Sequence, residues 1–450
     1  MLIEFTVENF LSFKDSSTLN MVAGALREHP AHTFSYRPTR ASRYRPVSLL
    51  KSAAIYGANA GGKSNLIKAI DHMRRMVMHS SKESQAGEPF PHFPFLLNPR
   101  TSAEPSTVEV VFVQDNIRYR YGFSADSEGV DLEWLFSAPR GREAKLFIRR
   151  KDKFEFGKGM TRVSGLEEKT RENALFISVA AQFNQPEARK ILQWFSSLQV
   201  VTDDTQNIFR RSMAILDHAL ERKRLVEFIR LADHSISELE IDEADYPLSD
   251  LSEGISEAVS KDLEKIGKKG DMIRLKKPVS HHYSYSDEGA RVGLEKFELA
   301  MESKGTKRIF DLAGLIFFAV DNGSALIIDE LECSLHPRLT RLIIKLFHSE
   351  QTNPRNAQLI FATHDQTLFS RKFFRRDQLW MVSKNELESS ELYSLSDFRV
   401  RPDSSYDKDY MLGKYGAVPV LNEPVTAFGA RDKDTEKGKA QEKDRVNGQG

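Results

Sequence analysis

Two short stretches of this sequence carry residues whose types and spacing suit work on a phosphate ester. In Gly57-Ala-Asn-Ala-Gly-Gly-Lys63-Ser64 the glycines fall where backbone amides must approach anionic oxygens with no Cβ in the way, and an ammonium and a hydroxyl follow. Gly57, Asn59, Ala60, Gly61, Gly62, Lys63, Ser64 and the neighbouring Asn65 are the candidate cradle for ATP. Lys63 would reach the β and γ phosphates, and Ser64 would offer its hydroxyl to Mg2+. In Ala325-Leu-Ile-Ile-Asp329-Glu330 an apolar run ends in two adjacent carboxylates. Asp329 suits a water-mediated hold on that cation, and Glu330 suits accepting the proton of an attacking water. Taken singly, the first stretch reads equally as a glycine-rich turn and the second as the polar end of a buried strand.

The elements around these residues are the ones such chemistry needs. An apolar run at 53–56 predicts a strand feeding directly into the glycines. Beyond them Leu66, Ile67, Ile70, Met73, Arg74 and Val77 recur at helical spacing, so 64–78 is expected to be a helix whose N-terminus faces the phosphates. The chain opens with an alternating run at 1–10 that predicts a strand with one buried face. Alternating runs at 108–113 and 118–123 flank Gln114-Asp-Asn116 and predict a hairpin, and further β signal continues through 132–136 and 146–156, together an antiparallel insert. From 186 to 269 the pattern reads as helical, with Leu251, Ile255, Val259, Leu263 and Ile266 spaced by four, four, four and three. Strand and helix then alternate as in a parallel sheet: a helix at 309–320, a strand at 325–328, a helix at 339–347, strands at 358–362 and 378–382. The expected division is 1–185 as an N-terminal lobe, 186–300 as a helical lobe, 301–428 as a C-terminal lobe and 429–450 as a disordered tail of interleaved charges.

Composition narrows the class. The 450 residues are 40% hydrophobic, enough for a substantial core. Lys plus Arg number 65 against 64 Asp plus Glu, so the net charge of +1 gives no general attraction to DNA or to an anionic membrane, although it hides any local patch. No apolar run approaches the ~20 residues that span a bilayer, and the opening residues lack the layout of a secretory leader. The single cysteine, Cys333, can form no internal disulfide, in keeping with an expected cytoplasmic location.

The sequel to the carboxylates, Leu331-Glu-Cys-Ser-Leu-His-Pro337, resembles the segment that follows the second acidic residue in the ABC, RecF and OLD lineages of ATPases, where it crosses a dimer interface. That resemblance implies a switch histidine after a strand, which His364 in Thr363-His364-Asp365 matches, and leaves His336 a structural part. It implies a signature segment whose serine caps the γ-phosphate held by a second subunit. Glu302-Ser303-Lys-Gly305-Thr306 stands about 25 residues before Asp329 and matches it through Ser303 and Gly305, though it departs from the common Leu-Ser-Gly-Gly-Gln form. Ser303 reads equally as a simple helix N-cap. A coupling glutamine is expected near the end of the β insert, where Gln182 fits; no adenine-stacking aromatic is identifiable, although Phe13 lies in the right neighbourhood.

The whole set, from Ile3 to Phe13 through Glu302 to Thr306 and on to Gly413-Lys-Tyr-Gly-Ala-Val-Pro419, is similar to compact bacterial AAA-family ATPases of the RloA and AbiL abortive-infection kind, relatives of RecF and OLD. The fold this implies is α/β, a P-loop NTPase of ABC-ATPase type with a mixed sheet core, an antiparallel β insert and a helical lobe. The function it implies is Mg2+-dependent ATP hydrolysis by a homodimer that sandwiches two nucleotides, with a higher oligomer open, acting in anti-phage defence beside a separately encoded effector nuclease. The stretch between Lys63 and Ser303 has no sustained heptads for a long coiled-coil arm, and too few residues follow Asp365 for a nuclease domain. A RecF-like DNA-binding ATPase in repair is the alternative. An ATP-binding scaffold and an importer subunit fit the acidic pair and the β insert less well.

Overall fold

A computed structural model of the chain describes residues 1–37, 46–83, 85, 87–139, 141–203, 205, 208–247, 272–401 and 404–419. Met1–Ala417 form one compact unit. Its first layer is an antiparallel sheet in the order β10-β9-β8-β7-β6-β1-β2. The strands are β1 (Leu2–Glu8), β2 (Ser17–Asn20), β6 (Ser106–Gln114), β7 (Ile117–Ala125), β8 (Val130–Ala138), β9 (Ala144–Arg150) and β10 (Lys153–Phe156). The predicted insert is thus continuous with the N-terminal strand: β1 pairs with β6 as well as with β2. The β6–β7 turn closes on Asp115 and Asn116, both at positive φ (50° and 61°), a conformation these residues tolerate and one that matches strand twist. A small ladder of β3 (Thr33–Tyr36) and β4 (Val47–Leu50) covers one end.

The second layer is a sheet in the order β11-β15-β16-β5-β17-β18, made of β5 (Ser52–Tyr56), β11 (Gln199–Val201), β15 (Ala325–Ile328), β16 (Gln358–Ala362), β17 (Leu379–Lys384) and β18 (Ser390–Ser394). Every pair is parallel except β17–β18. Helix α1 (Lys63–Glu83) packs between the layers, burying Leu66, Ile67, Ile70, Met73 and Val77 in one core with Phe5 and Val7 of β1 and Ile55 of β5. These are the positions the 3.6-residue spacing singled out. Two helices, α2 (Phe176–Gln182) and α3 (Pro186–Ser197), close the far end of α1, with Trp194 stacked on Phe112 of β6 at 4.1 Å.

The expected helical lobe is corrected over its second half. After α4 (Arg210–Leu216) and α5 (Ala219–Ile229) comes a three-stranded antiparallel sheet of β12 (Ile236–Pro247), β13 (Met272–Tyr285) and β14 (Arg291–Glu298). The run from Ile236 alternates apolar with acidic residues (Leu239 and Ile241 between Glu238, Glu240 and Asp242), a period of two that belongs to a strand. The periodic stretch at 251–266 and the tail at 429–450 lie outside the described residues. The remaining helices are α6 (Lys304–Asn322), α7 (Pro337–His348) and α8 (Tyr406–Met411).

Candidate nucleotide site

In a parallel sheet the loops at the C-terminal strand ends converge, and here those of β5, β15 and β16 carry the predicted chemistry. β5 runs into Gly57, where an added Cβ would strike the Val382 carbonyl of β17, so only glycine fits. Gly62 combines a φ of +118° with Ser390 Oγ and Ser12 Oγ where a Cβ would stand. Asn59 and Ala60 form the exposed crown of the loop, with Ala60 at a φ of +60°. The back of the loop is clamped: Ser390 donates to the Gly61 carbonyl (2.7 Å) and lies 2.7 Å from Ser12, which accepts from Asn65 Nδ2 (2.7 Å). Asn65 is therefore placed as a brace.

Lys63 is buried, and its ammonium donates to the Gly57 and Ala58 carbonyls at 3.0 and 3.2 Å. Burial lowers its pKa, and Asp329, Glu330 and Glu332 oppose that. These three carboxylates thus lie within electrostatic reach of the loop, as the sequence reading requires. Asp329 is itself buried, which raises its pKa, while a hydrogen bond from Ser64 lowers it and Asp203 raises it. Its backbone amide extends the sheet by donating to the Val201 carbonyl of β11 (2.9 Å), and its Oδ1 is buried with no hydrogen-bond partner. A buried carboxylate oxygen without a donor, beside a hydroxyl at the start of a helix, is the donor set a small divalent cation takes together with phosphate oxygens. Among the described residues no three His, Cys, Asp or Glu side chains form a cage of their own, which Mg2+ does not need.

Glu330 adopts φ +51°, a left-handed conformation rare outside glycine, directly after the strand. Leu331 is buried and donates to the Ala362 carbonyl (3.2 Å), tying this loop to the end of β16. His364 is exposed, and its amide donates to Glu332 Oε1, which orients the switch loop from the carboxylate loop. His336 accepts from the Arg338 amide (3.2 Å) and caps α7, the structural part expected of it. Ser303 caps α6: its hydroxyl accepts from the Thr306 amide (3.1 Å) and lies 2.8 Å from Thr306 Oγ1. Gly305 packs against the Ser334 carbonyl, so the signature segment adjoins the loop that follows Glu330.

One expectation is corrected. Gln182 ends α2 and lines a groove with Met78 and Lys82 of α1. Those residues lie 14 and 18 positions along α1 from Ser64, ~21–27 Å at the helical rise, so Gln182 does not join the phosphate loop. Phe13 is fully buried and offers no face to an adenine. Asp203, just beyond β11, lies within electrostatic reach of Asp329 and repels its charge, so β11 and not α2 brings a side chain to the carboxylates. Its signal was present as an acidic residue after Gln199-Val-Val201, but only the β11–β15 pairing shows where it goes. Glu332 could have been found from the Asp-Glu-Leu-Glu spacing, whereas Ser12 and Ser390 carry no local signal.

The fold and the phosphate loop are those of an AAA-type P-loop domain. The chain belongs to the family described as "AAA domain, putative AbiEii toxin, Type IV TA system", whose pattern matches residues 52–370. No curated protein matches it significantly. Among solved structures it is similar to the SMC head domain from Thermotoga maritima (14% identity, 87% of this chain and 98% of that one, TM-score 0.37). It is also similar to the recombination mediator RecF (13% identity, 87% and 98%, TM-score 0.31) and to an Smc head domain derived from Pyrococcus yayanosii (11% identity, 92% and 99%, TM-score 0.35). Among the described residues no helix is long and apolar enough to cross a membrane.

Proposed function

We propose that the protein binds and hydrolyses ATP between two copies of itself, and that the nucleotide state of this dimer controls a toxic partner. The observation that carries the reading is the unpartnered, buried Asp329 Oδ1 beside Ser64, at the foot of a phosphate loop whose lysine is already within the field of Asp329 and Glu330. The amides of Gly57 to Ser64 and the N-terminus of α1 receive the β and γ phosphates, and Lys63 exchanges its two carbonyl partners for phosphate oxygens. Ser64 and Asp329 are the residues that would hold Mg2+, which when bound neutralises charge on the phosphates. Glu330, set apart from the strand by its left-handed turn, takes the proton of the attacking water, and His364 serves as the γ-phosphate contact.

Ser303 and Gly305 lie in the segment that borders the loop after Glu330, and the resemblance of that segment to a signature motif supports a role in capping the nucleotide of a second copy. The defence role, the separately encoded effector nuclease and the cytoplasmic setting follow from the resemblance to abortive-infection ATPases and agree with the toxin named in the family description. Glu330→Gln should lower ATP turnover by at least ~10²-fold while nucleotide still binds. Lys63→Ala should abolish binding. Normal turnover by the Glu330 variant, read as phosphate release, would remove Glu330 from the base position.

A further inference from the structure

The far end of α1 carries a second site. Between the last turns of α1 and the α2–α3 hairpin lies an open groove of 810 Å³ whose lining includes Lys82, Arg162, Arg189 and Lys190 and no carboxylate. In a chain with 65 cationic and 64 acidic side chains, this is a local concentration that the net charge conceals. Lys190 pairs with Glu187 beside the groove (2.8 Å), and Glu187 is also held by the Tyr119 hydroxyl (2.8 Å). Among the described residues Lys82, Arg162 and Arg189 have no ion pair, so three of the four charges are uncompensated there.

We propose that this groove binds the sugar–phosphate backbone of a nucleic acid. Two guanidinium forks and an ammonium without internal partners match anionic phosphates, for which arginine offers paired donors. Around them the groove presents Gln182, Asn184 and Gln193, neutral donors of the kind that contact phosphate and sugar oxygens without reading sequence. Phe183 sits in the same turn, half-exposed (50%), with the Lys169 ammonium 4.4 Å from its ring centre, a platform on which a base can stack. Gln182, displaced from the ATP site, thereby acquires a place. The groove is joined to that site by one rigid element, since α1 starts at Lys63 and Ser64 and ends at Lys82 and Glu83. The inference stands without the hydrolysis reading, because none of its residues touches the phosphate loop.

The test is fluorescence anisotropy of a labelled 20-nucleotide strand and a 20-base-pair duplex with the full-length protein between 50 and 200 mM salt. Three phosphate contacts give a slope of log affinity against log salt of about −2 for the single strand and about −3 for the duplex. Arg162→Glu with Arg189→Glu should lower affinity at 50 mM salt at least ~10-fold and flatten the slope by about two thirds, with ATP turnover and melting temperature unchanged. Should that pair fail to fold, Lys82→Gln with Arg189→Gln replaces it, with the same direction of change expected. Lys63→Ala should bind the oligonucleotides as wild type does; loss of binding there would move the contact to the ATP site and overturn the proposal. Salt-independent binding, unchanged affinity in both charge variants, or equal competition by polyglutamate, which would mark an acidic protein as the ligand, would each overturn it too.

Discussion

Replacing His72 by phenylalanine should make the protein more resistant to acid. The imidazole is buried on the inner face of α1, with ring centres of Phe10, Phe93, Phe90 and Phe123 at 5.4, 5.6, 6.3 and 6.4 Å, and its Nδ1 has no hydrogen-bond partner. Burial first, and then the positive neighbours Arg75 and His92, lower its pKa from 6.5 to about 3. Such a group stays neutral in the folded chain while the unfolded chain takes up a proton, so the stability it leaves intact above pH 6.5 is lost as the pH falls towards 3. At pH 5 the unfolded histidine has gained 1.36 × log(1 + 10^1.5), ~2 kcal/mol, and the folded one almost nothing. Urea unfolding of wild type and His72→Phe at pH 7.5 and pH 5 measures this directly. Any packing change is common to both pH values and cancels, as does the similar acid loss from His32, lowered to about 4, and from His348, held well below its ordinary value by burial and then by its stacked neighbour His32. The variant's advantage should grow by ~2 kcal/mol between the two conditions. An advantage that is the same at both would mean the imidazole is not held neutral, and the reasoning from its burial would fail.

Three further outcomes are expected. Gly62→Ala places a Cβ against Ser390 and Ser12 at a φ of +118°, so equilibrium binding should show ATP affinity reduced at least ~10-fold, a loss of ~1.4 kcal/mol or more, while the far end of the protein keeps its fold. Arg149→Met strips a buried carboxylate of its cation: Glu133 would keep Tyr121 and the Phe176 and Ile177 amides but lose the guanidinium at 3.7 Å, and Ala174, Arg171 and Lys151 would lose a donor. Unfolding measurements should register about 3–5 kcal/mol of destabilisation. Ser303→Arg should leave ATP binding by a single chain intact and abolish ATP-dependent dimerisation in sedimentation equilibrium; dimerisation at wild-type strength would refute the shared site.

What the sequence disclosed of the site is what each strand hands to its own loop. Gly57 to Ser64 follow β5, Asp329 and Glu330 follow β15, and His364 follows β16, so type and spacing along the chain were enough to set them at the ends of these strands. Gln182 was placed by chain order alone, and the structure turns it away because α2 packs on the last turns of α1, where Ser178 and Ser81 share a 2.7 Å hydrogen bond. The element that reaches the carboxylates is β11, and its parallel pairing with β15 joins residues more than a hundred positions apart. The strands at 236–298 were hidden for a different reason: their period of two was present, but it was averaged with the helical spacing on either side.

The rigidity of the phosphate loop is a property of the whole chain. Gly62 can hold its positive φ without a side chain, yet glycine also has the most freedom to leave that conformation. What opposes this is the contact of Ser390 with both Gly61 and Ser12, reinforced by the Ser390 amide bonding the Ser12 carbonyl (2.7 Å). Ser12 closes the first antiparallel sheet and Ser390 opens the last strand of the parallel one, so the loop is clamped where the two layers meet, by residues 378 positions apart. The same junction is bridged at the opposite ends of these strands by Gln358, which accepts from the Leu2 amide (2.6 Å) and donates to the Leu2 and Leu50 carbonyls (3.0 Å each). A nucleotide gripped by the glycine amides is therefore felt by both sheets at once.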